Sequence, residues 1–147
     1  MASKRQFCTF YLDKLLFGVD LNNVQEVIRF LNMTRVPLAP DVVSGLINLR
    51  GQIVTAIDLR RRLQMDARAQ GMLPMNVVVR SGDGAVSLLV DEIGDVVEAD
   101  DDTFEVPPET LRGSVRNMIL GVHKLDKKLM HVLDTGRACE VGERTEA

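Results

Sequence analysis

At 147 residues and 46% hydrophobic side chains, the chain suits one compact domain or two intimately packed small ones, with a real core. No Trp, one Tyr and five Phe leave that core to branched aliphatics. A formal net charge of −3 lacks the basic footprint of a general nucleic-acid binder.

The opening residues, M-A-S-K-R-Q-F, lack the apolar centre of a signal peptide, and no apolar run reaches membrane-spanning length. A soluble cytoplasmic protein is expected. Cys8 and Cys139 lie near opposite ends, without C-x-x-C spacing or a neighbouring histidine pattern, so zinc is not expected. Two free thiols in a reducing compartment is the favoured reading, with a terminal staple left to be judged by distance.

Positions 7–12 alternate as a strand does, Asp13-Lys14 marks a turn, and 15–21 makes the returning strand. Asn23 with Glu26 three residues on resembles a capping box, and Leu21, Val24, Val27, Ile28 and Leu31 fall on one helical face. A short helix is therefore expected there. Val36-Pro37 and Pro40 then hold the backbone extended. Two β-prone runs, Leu46-Ile47-Asn48-Leu49 and 52–58, flank Arg50-Gly51 and predict a hairpin with Gly51 at positive φ and Arg50 turned to solvent. Asp58 looks like the cap of a helical turn over 59–63 that carries Arg60, Arg61 and Arg62.

After Leu63 the pattern lapses into a connector over 64–74. A second hairpin is expected from 75–80 and 85–90 around the turn Ser81-Gly82-Asp83-Gly84. The segment 93–99 reads as strand or short helical turn. Val106-Pro107-Pro108 is extended, 112–117 is polar, 118–125 and 128–134 make a third hairpin, and 136–147 reads as a frayed tail.

The chain also repeats itself. The pattern G-L-x-x-L-x-x-x-I-V-x-A-I-D from Gly45 aligns without gaps on G-V-x-x-L-x-x-x-L-M-x-V-L-D from Gly121, 76 positions later. Val19-Asp20 matches Val90-Asp91 and Val36-Pro37 matches Val106-Pro107. This is too long for a solenoid repeat; it fits two related small β units of about five strands each, and the halves are expected to superpose as two small barrels.

Little in the chain suggests chemistry. From Asp91 to Glu109 there are nine carboxylates and no base, a segment that could hold a divalent cation but lacks the spacing of a calcium loop. A solvated acidic face is the favoured reading. His123 and His131 fall in strand-like segments with no Cys or Ser motif alongside, and no Walker loop, G-x-S-x-G or dinucleotide fingerprint is present. Arg60 to Arg62 read as solvated. So does Arg50 from the residues alone, although Arg is enriched at binding hot spots and the repeat places Asp126 at its counterpart.

The stretch from Val36, V-P-x-x-P-x-x-V-x-G-x-x-N-L-R-G-x-I-V-x-x-I-D-L-R, resembles the central signature of the CheW chemotaxis coupling proteins. The same module forms the regulatory domain of CheA histidine kinases. Thr55-Ala56 departs from the proline and branched residue common in that family. The resemblance covers roughly 7–139. It implies a mostly β fold of two SH3-like five-stranded β-barrels packed through a shared hydrophobic core, with a few short helices. It also implies one domain over 7–140, approximate halves 7–73 and 74–140, and a tail at 141–147; exchange of terminal strands between the halves is left open.

The implied function is that of an adaptor, not an enzyme, with no cofactor and no metal. It would join the cytoplasmic tip of methyl-accepting chemoreceptors to the regulatory domain of a CheA-type histidine kinase, recruited to membrane-associated arrays without entering the membrane. In that family the arginine of N-L-R-G, the glycine upstream and the V-Q-E helix are implicated in receptor binding. They carry over to Arg50, Gly45, Val24 and Glu26, with Asn48 and Gly51 completing the turn motif. The rival reading is a small metal-dependent hydrolase built on 91–109.

Overall fold

The computed structural model describes residues 4–82, 84–107, 109 and 113–140. Asp83 of the second turn, Pro108 and Arg112 of the extended and polar stretches, and the tail at 141–147 lie outside the described residues.

The chain is mostly β, in two sheets. The first half supplies β1 (Lys4–Leu12), β2 (Leu15–Asp20), β3 (Val24–Ile28), β4 (Val43–Leu49) and β5 (Gln52–Asp58). Then come β6 (Met75–Ser81), β7 (Gly84–Val90), β8 (Glu92–Asp100), β9 (Phe104–Glu105), β10 (Ile119–Lys124) and β11 (Leu129–Leu133). One sheet runs β3-β6-β7-β5-β4 and the other β8-β1-β2-β11-β10-β9.

The hairpins change places. The β1-β2 hairpin pairs with β8 and, in parallel, with β11; the β6-β7 hairpin pairs with β3 and, in parallel, with β5. The five-stranded sheet is therefore built from the continuous middle of the chain, β3 to β7, while the six-stranded sheet joins β1 and β2 to β8–β11 from the other end, through the long-range pairings that close an SH3-like barrel. In the six-stranded sheet the two edges, β8 and β9, are one passage of chain broken by a 3₁₀ turn at Asp101–Thr103, so that passage serves both edges. In the five-stranded sheet the chain leaving β3 reaches the opposite edge, where Thr34 and Leu46 exchange backbone hydrogen bonds of 2.8 Å.

Burial follows this plan. Ile47, Leu49, Val54, Ala56, Val78 and Leu89 fill one barrel; Phe7, Leu16, Ala99, Met130 and Val132 fill the other. Between them a larger cluster takes side chains from both sheets, among them Phe10, Phe17, Ile57, Leu88, Ile119 and Leu133. The core is thus shared, and aliphatics do most of the filling, as a chain without Trp requires.

The repeat at 76 positions is structural as well as sequential. The register of β4 on β5 slips between Val43 and Gly45, and that of β10 on β11 slips between Ile119 and Gly121. Both slips are bulges at matching positions. A Cβ on Gly45 would stand 2.7 Å from the Thr34 carbonyl oxygen, and one on Gly121 would stand 2.5 Å from that of Glu105. In each barrel the neighbouring chain passes too close for a side chain. Asp58 and Asp134 each cap the helix that follows, α1 (Leu59–Arg62) and α3 (Thr135–Cys139), with side-chain bonds of 3.1 Å to Arg60 N–H and to Arg137 N–H.

Four expectations are corrected. Asn23 does not cap a helix: Asp20 accepts from the Asn22 amide at 2.9 Å, the turn Leu21–Asn23 is 3₁₀, and Val24–Ile28 is strand. Val24, Val27 and Ile28 are β-branched, and pairing with β6 outweighs a helical face available to five residues. The tail expected from 136 is helical to Cys139, because Ala138 and Cys139 are buried in the shared core. A further short helix, α2 (Gly113–Met118), occupies the polar stretch before β10.

The other two corrections concern charge. Arg60 is not solvated; it is buried against Asp91, which in turn is no part of a solvated acidic face. Arg60 Nε donates to the two Asp91 oxygens at 2.9 and 3.1 Å, Nη2 donates to Oδ2, and Nη1 reaches the Asp66 carbonyl at 3.0 Å. Arg68, in the connector, adds bonds to Asp91 at 2.9 Å and to Asp58 at 2.8 Å. The Asp13 amide donates to Asp91 at 2.6 Å.

Candidate functional site

Arg50 and Gly51 are the two residues of a tight hairpin turn between Leu49 and Gln52, with φ of 51° and 88°. Two positive φ values make a turn of the I′ kind, whose twist matches that of the strands. Gly51 takes this conformation without cost; Arg50 does not, because its Cβ crowds the backbone there. Asn48 secures the turn, its Oδ1 accepting from the Gly51 amide at 2.8 Å. The result is an arginine held at the tip of a rigid hairpin, its side chain 72% exposed.

The exposed guanidinium does not stand alone. Its Nη2 donates to Oε2 of Glu26 in β3, at the far edge of the same sheet. This ion pair crosses the seam that the Thr34–Leu46 bridge closes, and Gly45 lies beneath Thr34 at the same seam. Glu26, Gly45, Asn48, Arg50 and Gly51 are therefore brought together by barrel closure. Val24 is not among them: it is half-buried, pairs with Val79 and packs on the shared core.

Ile53 is an addition that the sequence reading missed. It faces Asn48 across the hairpin and is 61% exposed, beside the turn. The signal was present in the adjacent Ile53-Val54: in a strand with one buried face, consecutive apolar residues cannot both point inward. An exposed branched aliphatic next to an exposed arginine suits protein contact better than a solvated loop.

The residues weighed for catalysis are otherwise engaged. His131 is buried with Nδ1 2.9 Å from the Leu16 carbonyl oxygen, and His123 is buried with Nδ1 2.8 Å from Thr103 Oγ1. Burial lowers the His123 pKa, which holds the ring neutral at neutral pH. Of the acidic segment, Asp91 is committed to Arg60 and Arg68. Among the described residues no three His, Cys, Asp or Glu side chains gather as metal ligands do. Cys8 and Cys139 are both free and buried. Among the described residues no helix is long and apolar enough to cross a membrane.

Comparison with known proteins agrees with this fold. The family model of the CheW-like domain matches residues 6–141. "Chemotaxis protein CheW" of Treponema pallidum is 28% identical, over 88% of this chain and 78% of that protein. Its namesake in Helicobacter pylori is 27% identical, over 87% of this chain and 77% of that protein. The crystal structure of the scaffolding protein TtCheW from Thermoanaerobacter tengcongensis superposes with a TM-score of 0.84, at 27% identity and 94% coverage of both chains. By a match that spans nearly its whole length, and by a fold that agrees with it, this chain belongs to the CheW-like domain family.

Proposed function

We propose that this protein is a chemotaxis adaptor that couples methyl-accepting chemoreceptors to a CheA-type histidine kinase, in the cytoplasm at membrane-associated receptor arrays. It performs no reaction of its own. Its work is positional: rigid barrel surfaces bind receptor and kinase together, and receptor state reaches the kinase through packed contacts. Membership of the CheW-like family and relatives named as chemotaxis and scaffolding proteins support this reading.

The observation that carries it is the Arg50 turn. A costly backbone conformation, an amide lock from Asn48 and an ion pair to Glu26 all serve to hold one exposed guanidinium beside exposed Ile53. A hairpin that needed only to reverse direction would not require them. In the proposed complex Arg50, with Glu26 and Ile53, meets the receptor tip, and Gly45, Asn48 and Gly51 hold the surface in shape; Val24 contributes from below by packing.

The experiment is a titration of the purified protein against a receptor cytoplasmic tip and, separately, a CheA regulatory domain. Saturable binding of both, with Arg50→Ala weakening only the receptor, is the expected result. Binding of neither partner would remove the adaptor reading. Unchanged receptor affinity in Arg50→Ala would remove this turn from the site.

A further inference from the structure

The six-stranded barrel carries a cavity of about 440 Å³ on a different sheet from the Arg50 turn. Part of its lining is aromatic and apolar: Phe7 and Phe104 flank the His123 ring at centroid distances of 5.3 and 5.2 Å, and Val132 also lines it. Its rim is acidic: Asp20, Asp101 and Asp134 line it, against one base, Arg5. Arg5 lies 3.3 Å from Asp101 and 4.0 Å from Asp20, so one guanidinium is shared between two carboxylates. Asp134 pairs with Arg137 at 3.7 Å, and Lys124, which does not line the cavity, pairs with Glu105 at 3.6 Å.

We infer that this cavity receives an arginine or lysine side chain from a partner protein segment whose neighbouring residue is apolar. With Asp134 paired to Arg137, the carboxylates of Asp20 and Asp101 share the one guanidinium of Arg5, which leaves the rim one charge short of neutral and favours a cation. Of these rings Phe104 is the exposed one, able to meet a cation, and the neutral His123 packed against it adds no repulsion. The volume lies within the range of pockets that enclose a small group.

The mouth decides between a free small cation and a protein segment. Phe104 is 43% exposed and Leu120 is 55% exposed at the opening. A bare guanidinium or ammonium compound would leave both uncovered. A chain laid across the mouth would bury them with an apolar side chain while its basic neighbour enters. The cavity's lining does not include Glu26 or Arg50, and the strands that form it belong mainly to the six-stranded sheet rather than the five-stranded one.

The probe is a capped tripeptide, acetyl-Leu-Arg-Leu-amide, titrated into the full chain while the amides of Phe104 and Leu120 and the ring of His123 are followed by NMR. Saturable shifts confined to these groups are expected, with Kd on the order of 1 mM or tighter. The same peptide with citrulline, which keeps the shape and removes the charge, should bind at least about fivefold more weakly, as should Asp101→Asn and Leu120→Ser. Both side chains are partly exposed, so the variants should keep the wild-type spectrum elsewhere, and each reports a different part of the claim. Arginyl and citrullinyl peptides of equal affinity, shifts centred elsewhere, or no saturation would overturn the inference. n-Butylguanidinium binding as tightly as the tripeptide would overturn the segment and leave a small-molecule site.

Discussion

Arg60 and Asp91 form an ion pair whose side chains are only 10% and 2% exposed, at the point where the two sheets meet. Arg60 belongs to α1 after the five-stranded sheet; Asp91 joins β7 of that sheet to β8 of the other, and also holds the Asp13 amide of the β1-β2 turn. Burial pushes the Asp91 carboxyl up. The Arg60 hydrogen bonds, the Asp13 amide and the charges of Arg60 and Arg68 outweigh it, and its pKa lies below the ordinary value.

Asp91→Asn should therefore destabilise by about 3–5 kcal/mol, since it leaves two buried guanidiniums short of a counter-charge. Arg68→Met should cost less, because Arg60 still holds Asp91. The pH dependence has a definite sign. A carboxyl with a lowered folded pKa stabilises fully above the free value, near about 3.9, and that contribution fades as pH falls through the folded value. Urea midpoints for wild type and Asp91→Asn should converge below about pH 4 and stay apart above it. Parallel curves across that range would show that the pair does not titrate with folding.

How much of this was readable follows from the range of the interactions. Hairpins are local, and 7–20, 46–58, 75–90 and 118–134 were legible from alternation and turn residues. The exchange of hairpins was left open, because pairing between strands far apart in the chain leaves only a repeat as its trace. Val24–Ile28 misled because its apolar spacing fits a helix, while its fate is set by β6, some fifty residues away. Arg60 could not be told from Arg61 and Arg62 on a three-arginine turn: burial of one of them depends on Asp91. The hairpin at Arg50 and the positive φ of Gly51 were legible, but the positive φ of Arg50 and the Asn48 lock were not; its partner Glu26 was named for another reason, and barrel closure made them neighbours.

Arg50→Ala should change stability by no more than about 0.5 kcal/mol, since an ion pair exposed on one side is worth little. If the proposed receptor contact is right, the same change should cost on the order of 2 kcal/mol of binding, roughly thirtyfold. Arg50→Glu should do worse, because it also sets a carboxylate against Glu26. Calorimetry on receptor tip and kinase domain with both variants checks this. Equal loss toward both partners would point to a general defect of the hairpin.

The two thiols should be inert in the folded protein. Burial raises both, and Cys139 reaches about 11, with a hydrogen bond to Ser81 and the charge of Arg62 offsetting only part of the effect. An aromatic disulfide reagent at about pH 8 should react on the order of 100-fold more slowly than with the denatured chain, because the thiolate is the reactive form. Prompt reaction of either thiol without denaturant would contradict the buried placement of that cysteine.

Gly45 and Gly121 give the sharpest comparison between the two barrels. Each lies at a bulge with a carbonyl oxygen where a Cβ would go, at 2.7 and 2.5 Å, and neither has a positive φ. Alanine at either position must push the neighbouring chain aside, which should cost about 1–3 kcal/mol. Gly84→Ala is the control: nothing lies within 4 Å of a Cβ there, and it should be neutral or slightly stabilising. The consequences for binding differ between the barrels. At Gly45 the displaced chain is Thr34, at the seam spanned by Arg50 and Glu26, so receptor affinity should fall together with stability. At Gly121 the displaced chain is Phe104-Glu105, and receptor affinity should hold while stability falls. Thermal melts beside receptor titrations separate these outcomes; loss of receptor binding in Gly121→Ala with the fold intact would place part of that surface on the six-stranded barrel.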